Sequence, residues 1–70
     1  MEAVDVYVVG LILCVRISDN RVIQVPFENI EGLYDLEPWL YRPKISEDGK
    51  RIVYAELNMD IAVKDLFEFK

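Results

Sequence analysis

The chain has 70 residues, of which 53% are hydrophobic, and it carries a formal net charge of −5 without any histidine. This length allows a single domain, residues 1–70, and the hydrophobic content excludes a disordered segment. Cys14 is the only cysteine, which excludes an internal disulfide and a zinc cluster and leaves association with another subunit as the usual means of stabilising so small a core.

The first half of the sequence predicts a short leading strand and a β-hairpin. Gly10 interrupts a long apolar run and is expected to separate the leading strand, residues 3–8, from the hairpin. The hairpin strands are residues 11–17 and 22–25, because both segments are rich in β-branched and aliphatic side chains. Asp and Asn tolerate the left-handed backbone region, so residues 19–20 are predicted to form a two-residue turn between the strands.

That turn would fix the register of the hairpin, with Ile17 opposite Val22 and Cys14 opposite Val25. One predicted face then carries Leu11, Leu13, Val15, Ile17 and Val22. The other predicted face carries Ile12, Cys14, Ile23 and Val25 and becomes polar only near the turn. Both faces are therefore apolar along most of the hairpin.

Two apolar faces are unusual in a half-buried antiparallel strand, which normally alternates apolar and polar residues. Either a helix of the same chain or another subunit must cover the second face. We therefore predict a self-associating protein–protein interaction module, with a twofold dimer favoured. The predicted interface residues are Ile12, Cys14, Ile23, Val25, Trp39 and Tyr41, of which the last two could equally cap the core.

Two short helical segments are predicted outside the first hairpin. Residues 27–34 place apolar side chains at helical spacing, which predicts a short helical turn in the middle of the chain. In the tail, residues 63–69, Val63, Leu66 and Phe67 share one helical face, which predicts a short C-terminal helix that docks on the core.

A second hairpin is predicted from strands at residues 40–46 and 51–57 around a turn at residues 47–49. Residues 58–60 are predicted to form a further turn. Together the elements define an α+β fold, in which a small antiparallel sheet of two hairpins is combined with a short mid-chain helical turn and a short C-terminal helix.

Basic residues around the second hairpin suggest an alternative function. They are Arg42, Lys44, Lys50 and Arg51. With Trp39, Tyr41 and Tyr54 close in sequence, they could bind a nucleic-acid strand as a weak regulatory module. Protection of exposed strand edges is the favoured interpretation, because Glu47 and Asp48 lie in the same hairpin and the net negative charge of the chain repels phosphates.

The sequence argues against several other functional classes. Glu56 and Asp60 could form an acid–base pair, but 13 acids in so short a chain produce such neighbours by chance. Cys14 has aliphatic neighbours and no histidine to activate it, so a buried, unreactive thiol is expected. We therefore expect no enzymatic activity and no cofactor. The apolar run at residues 6–15 is too short to span a membrane and follows acidic residues, which predicts a cytoplasmic protein without membrane contact.

Residues 18–27, Ser-Asp-Asn-Arg-Val-Ile-Gln-Val-Pro-Phe, resemble the strand–turn–strand–proline signature of the bacterial and archaeal family called domain of unknown function 2442. The second half, residues 48–67, is similar to the closing stretch of that family, with a glycine turn, an aromatic strand and a terminal helix in the same order. Tyr54 replaces the tryptophan common in the family, Asp60 alone remains of its acidic turn, and residues 31–39 do not match its usual helix. The resemblance implies a small antiparallel sheet in an α+β fold and a possible role as the non-enzymatic partner in a toxin–antitoxin-like pair.

Overall fold

The computed structural model describes residues 2–30, 32–33, 35–37 and 40–67, and its strands form two three-stranded antiparallel sheets. The first sheet consists of β1 (Ala3–Val9), β2 (Ile12–Ile17) and β3 (Val22–Pro26), and the second of β4 (Lys44–Ile45), β5 (Arg51–Tyr54) and β6 (Met59–Ala62). The described residues also form 3₁₀ turns at Phe27–Asn29 and Ala55–Leu57 and a short helix, α1 (Val63–Leu66). The fold is broadly α+β, although mostly β, and the predicted single sheet is in fact two sheets.

The predicted leading strand is confirmed as β1, and Gly10 forms the turn that joins it to β2. Val9 lies opposite Ile12, so the connection has two residues, and Gly10 has a φ of +59°. A positive φ at the first central position is typical of the type II′ turn, whose twist matches that of the flanking strands. Leu11 occupies the second central position and is 62% exposed, rather than part of the core face predicted from the sequence.

The turn between β2 and β3 is one residue longer than predicted. The Asn20 N–H donates to the Ile17 carbonyl at 2.9 Å, and the Ile17 N–H donates to the Arg21 carbonyl at 2.8 Å. Asn20 has a φ of +75°, which is the left-handed residue expected at the end of a three-residue hairpin loop. The Asp19 carboxylate accepts hydrogen bonds from the backbone N–H and the Nε of Arg21, which holds this longer loop in place.

The longer loop shifts the pairing of β2 with β3 and corrects the predicted register. Leu13 lies opposite Val25, and Val15 lies opposite Ile23. Because side chains alternate along a strand, a shift of one residue moves every side chain of β3 to the other face. Ile23 and Val25 are therefore buried in the core, and the prediction that they share a face with Ile12 and Cys14 is wrong.

The second sheet has a third strand that the sequence analysis did not predict. Residues 58–60 were expected to form a turn, but the reversal takes place earlier, through the 3₁₀ turn Ala55–Leu57 and Asn58, and Met59 already lies opposite Tyr54 in β6. Asn58 ends the 3₁₀ turn with a φ of +51°, a left-handed conformation that Asn tolerates better than most residues. The predicted strands at 40–46 and 51–57 shorten to β4 and β5, which face each other across the loop at residues 47–50.

Gly49 joins the two sheets. Its carbonyl accepts a hydrogen bond of 2.7 Å from the Ala3 N–H at the start of β1. Its φ is +73°, and a Cβ at this position would lie 2.9 Å from the Cβ of Glu2. Both the backbone conformation and the close approach of β1 therefore favour glycine at this position.

The core lies between the inner faces of the two sheets. Its fully buried members include Leu13, Val15, Ile17, Ile23, Val25, Ile30, Leu33, Ile52, Tyr54, Val63 and Leu66. The predicted mid-chain turn is confirmed as the short 3₁₀ segment at Phe27–Asn29, and the Phe27 ring meets the Tyr54 ring edge to face at a centroid distance of 6.4 Å. Tyr34, which the sequence analysis placed in this turn, lies outside the described residues.

The predicted C-terminal helix is confirmed as the single turn α1, which packs against β6. Phe67 follows α1 and is partly buried against the core, and its ring centroid lies 5.7 Å from Cζ of Arg21 in the first hairpin. The segment from α1 to Phe67 thus contacts both the second sheet and the first hairpin. Phe69 lies outside the described residues.

Candidate interaction surface

The outer face of the first sheet is the side of β1, β2 and β3 that points away from the core. Its side chains form three rows across the strands: Asp5, Arg16 and Val22; Tyr7, Cys14 and Gln24; Val9, Ile12 and Pro26. A register irregularity between Ala3 and Asp5 brings Asp5 into line with Arg16. The face is therefore polar in its first row and largely apolar in the other two.

Several large apolar side chains on this outer face are exposed. The exposed fractions are 41% for Tyr7, 58% for Val9, 36% for Ile12 and 42% for Val22. A contiguous patch of this kind on a small protein commonly marks a contact surface. The sequence analysis expected a helix or another subunit to cover such a face, and among the described elements α1 instead packs on the second sheet.

Cys14 lies in the middle row but is only 1% exposed, between Tyr7 on β1 and Gln24 on β3. Burial raises the pKa of the Cys14 thiol, with a smaller opposing effect from a backbone hydrogen bond with Val9. The thiol is therefore protonated at neutral pH and is a poor nucleophile. The expected burial of Cys14 is confirmed, and on this face it provides a recess rather than a reactive group.

Asp5 and Arg16 form the charged part of the face. Their side chains lie directly opposite each other, with 3.7 Å between the carboxylate and the guanidinium, and each is about half exposed, at 51% and 48%. The Asp5 carboxylate also accepts a hydrogen bond from the Val6 N–H. The pair makes the outer face electrically neutral in a chain whose formal net charge is −5.

The outer face of the second sheet has a different composition. It carries Lys44 on β4, Arg51 and Val53 on β5 and Asp60 on β6. Arg51 donates a hydrogen bond of 2.7 Å to the Asp60 carboxylate, which lowers the pKa of Asp60 and raises the pKa of Arg51. This face is therefore charged and well hydrated, unlike its counterpart on the first sheet.

Among the aromatic residues proposed to act with the basic side chains in nucleic-acid binding, Tyr41 is half-buried and Trp39 lies outside the described residues. Arg42 and Lys44 are exposed, while Lys50 and Arg51 line a depression of about 460 Å³ together with Asp48 and Lys64. Tyr54 is fully buried, so it offers no ring for base stacking. The nucleic-acid alternative stays a prediction, without Tyr54 as a stacking residue.

The pKa of Tyr54 is shifted well above its ordinary value. Its hydroxyl is buried and has no hydrogen-bond partner within the described structure. Burial, with a smaller effect from the charge of Glu56, raises the pKa of Tyr54 to about 12. Because the ring is enclosed by the core, the group is structural, and its proton is not accessible to a substrate.

The predicted interface residues have different fates. Ile12 and Cys14 lie on the outer face of the first sheet, whereas Ile23 and Val25 lie in the core. Tyr41 is half-buried and packs against the core, and Trp39 lies outside the described residues.

The sequence-based prediction did not assign Tyr7 and Val9 to the outer face, and it placed Val22 on the opposite face of the hairpin. A two-residue turn centred on Gly10 would have placed Val9 opposite Ile12 and Tyr7 opposite Cys14. The signal was present in the sequence, but Gly10 was predicted only to separate the leading strand from the hairpin.

Comparison with known proteins gives no match: no family model, curated protein or solved structure matches the chain. The resemblance to domain of unknown function 2442 therefore stays a prediction. In the described part of the chain, no helix is long and apolar enough to cross a bilayer, and no group of acidic and cysteine side chains is arranged to hold a metal ion.

Proposed function

We propose that this protein is a self-associating protein–protein interaction module without enzymatic activity, and that the outer face of the first sheet is its contact surface. The observation that supports this proposal is the exposure of Tyr7, Val9, Ile12 and Val22 on one side of a single sheet. Burial of apolar surface is the main driving force for protein association, and these side chains are not covered by the described part of the chain.

The size of the face sets the expected affinity. Three strands spaced ~4.8 Å apart, each with about five residues of which three face outward, give a patch of roughly 15 Å by 17 Å. This area is well below the ~800 Å² that each partner buries in a standard interface. We therefore expect reversible association in the micromolar range or weaker, which should depend strongly on protein concentration.

The test is a pair of matched substitutions on the central strands of the two sheets. Ile12→Lys places a charge on the apolar outer face of β2, whereas Val53→Lys places the same charge on the polar outer face of β5. Sedimentation velocity across the micromolar to millimolar range should show that Ile12→Lys weakens association at least about tenfold, and that Val53→Lys leaves it close to that of the unaltered chain. Circular dichroism should show that both variants remain folded.

Equal association of the two variants would rule out the outer face of the first sheet as the contact surface. A chain that remains a monomer at millimolar concentration would rule out self-association altogether. If Ile12→Lys unfolds the protein, Ile12→Ser gives the same comparison, because it removes apolar area without introducing a charge.

A further inference from the structure

Each row of the outer face pairs complementary side chains on β1 and β2. Asp5 lies beside Arg16, and their side chains carry opposite charges. Tyr7 protrudes, with 41% of its surface exposed, beside the recessed Cys14, which is 1% exposed. In the last row Val9 lies beside Ile12, and both are aliphatic. Each of these three pairs would still be complementary if the two members came from different chains.

Twofold symmetry allows only a few ways to stack this face on itself with the strands aligned. An axis along β2 would place Arg16 on Arg16 of the second copy. An axis across the strands through the Tyr7 row would place the charged first row on the apolar row of Val9 and Ile12, and an axis between β2 and β3 would place Arg16 on Val22. In both cases charged side chains would be desolvated without a charged partner on the other copy. An axis parallel to the strands and between β1 and β2 avoids both problems, because it places β1 of each copy over β2 of the other.

The geometry points to a symmetric dimer of this last kind, in which Asp5 of each copy faces Arg16 of the other, Tyr7 covers Cys14 and Val9 packs on Ile12. This arrangement rests on the proposed function and specifies its partner as a second copy of the chain. Contacts of this type are isologous, so every favourable pair occurs twice. Aligned sheets pack about 10 Å apart, a distance that a protruding ring over a small side chain fills well.

Charge also favours this arrangement. Two chains that each carry −5 repel each other, so a contact face should contain no excess of negative charge. The outer face meets this requirement with Asp5 and Arg16. Because both side chains are about half exposed and their ion pair is long, at 3.7 Å, the pair is weakly held within one chain and can be exchanged between copies at little cost.

The same symmetry places β3 at the rim of the interface. The strands over which the two copies overlap are β1 and β2, so Gln24 on β3 lies beside the overlap rather than within it. Gln24→Lys therefore serves as a control, because it adds a charge to the same outer face at a position where the partner is not expected to be in contact.

Two charge reversals test the arrangement. Asp5→Arg gives a chain with two arginines in the first row, and Arg16→Asp gives a chain with two aspartates there. Each variant alone should associate at least about tenfold more weakly than the unaltered chain, since four like charges would meet at the axis. An equimolar mixture should recover association as a heterodimer, which sedimentation velocity detects with one variant carrying a fluorescent label.

The outcomes separate this inference from the proposed function. Recovery in the mixture, together with normal association of Gln24→Lys, supports the arrangement. If each charge reversal associates normally by itself, or if the mixture does not recover, the arrangement is wrong, while sensitivity to Ile12→Lys would still support the outer face as the contact surface. An unaltered chain that remains a monomer would overturn both.

Discussion

The two sheets of this protein share one design but differ on their outer faces. Each is a three-stranded antiparallel meander that contributes its inner face to a common core. The first sheet exposes Tyr7, Val9 and Ile12, whereas the second exposes the hydrogen-bonded pair Arg51 and Asp60. A sheet that faces water on one side normally has a polar outer surface, as the second sheet does. The departure of the first sheet from this pattern is the reason for assigning the contact surface to it.

The comparison of the two outer faces depends on which residues of β3 point away from the core. Alanine substitutions in β3 test this and are expected to give the largest loss of stability. Ile23→Ala removes a fully buried side chain and should destabilise the protein by about 2–5 kcal/mol. Val22→Ala, one position earlier, should have a much smaller effect, because Val22 is 42% exposed. Denaturant titration measures both values. The reverse order would restore the register predicted from the sequence and place Ile23 on the outer face.

The inner face of the second sheet can be tested through the pH dependence of stability. The pKa of Tyr54 is raised to about 12, compared with ~10 for an exposed tyrosine. The stabilising effect of the protonated phenol is complete below pH ~10, and it is lost as the pH rises towards 12, by about 3 kcal/mol in total. Tyr54→Phe should not show this loss of stability, because it has no phenol to ionise. It should also be more stable at neutral pH by about 1 kcal/mol, because it has no unpaired buried hydroxyl.

Urea titrations of the unaltered chain and of Tyr54→Phe between neutral pH and pH 12 give the difference in their free energies of unfolding at each pH. Other tyrosines and lysines titrate in the same range in both proteins, so only the difference between them reports on Tyr54. If the free energies of unfolding of the two proteins changed with pH in parallel, the phenol of Tyr54 would be hydrated. The core around the second sheet would then be packed less tightly than the structure shows.

The junction between the sheets is expected to give the smallest of these effects. Gly49→Ala forces a Cβ onto a residue with a φ of +73° and to within 2.9 Å of Glu2, so it should destabilise by about 2 kcal/mol or more. Gly10→Ala is the matched control, since its φ is also positive, at +59°, but no atom lies within 4 Å of the added Cβ. Its cost should be about 1–2 kcal/mol. Equal losses of stability would indicate that contact with Glu2 does not constrain Gly49.

The limits of the sequence analysis are clearest at the loop between β2 and β3. Local preferences indicated a turn at Asp19 and Asn20, and a turn is found there, but two-residue and three-residue loops are both compatible with these residues. Burial decides between them: the longer loop places Ile23 and Val25 on the same side as Leu13 and Val15, which concentrates the apolar area in one core. β5 follows the same constraint, because its buried residues Ile52 and Tyr54 lie on the core side and the exposed Arg51 lies on the other side.

The sequence by itself determined the local elements of this protein: the leading strand before Gly10, both hairpins, the 3₁₀ turn that begins at Phe27 and the helix at Val63. These depend on periodicity and turn residues, which act over a few positions. The register of β3, the pairing of β6 and the separation into two sheets were decided only in the tertiary structure, because they depend on which apolar surfaces meet across the core. The local turn after Val9 is enough to place Tyr7 and Val9 beside Cys14 and Ile12, but only the tertiary structure decided that this face of the sheet points away from the core.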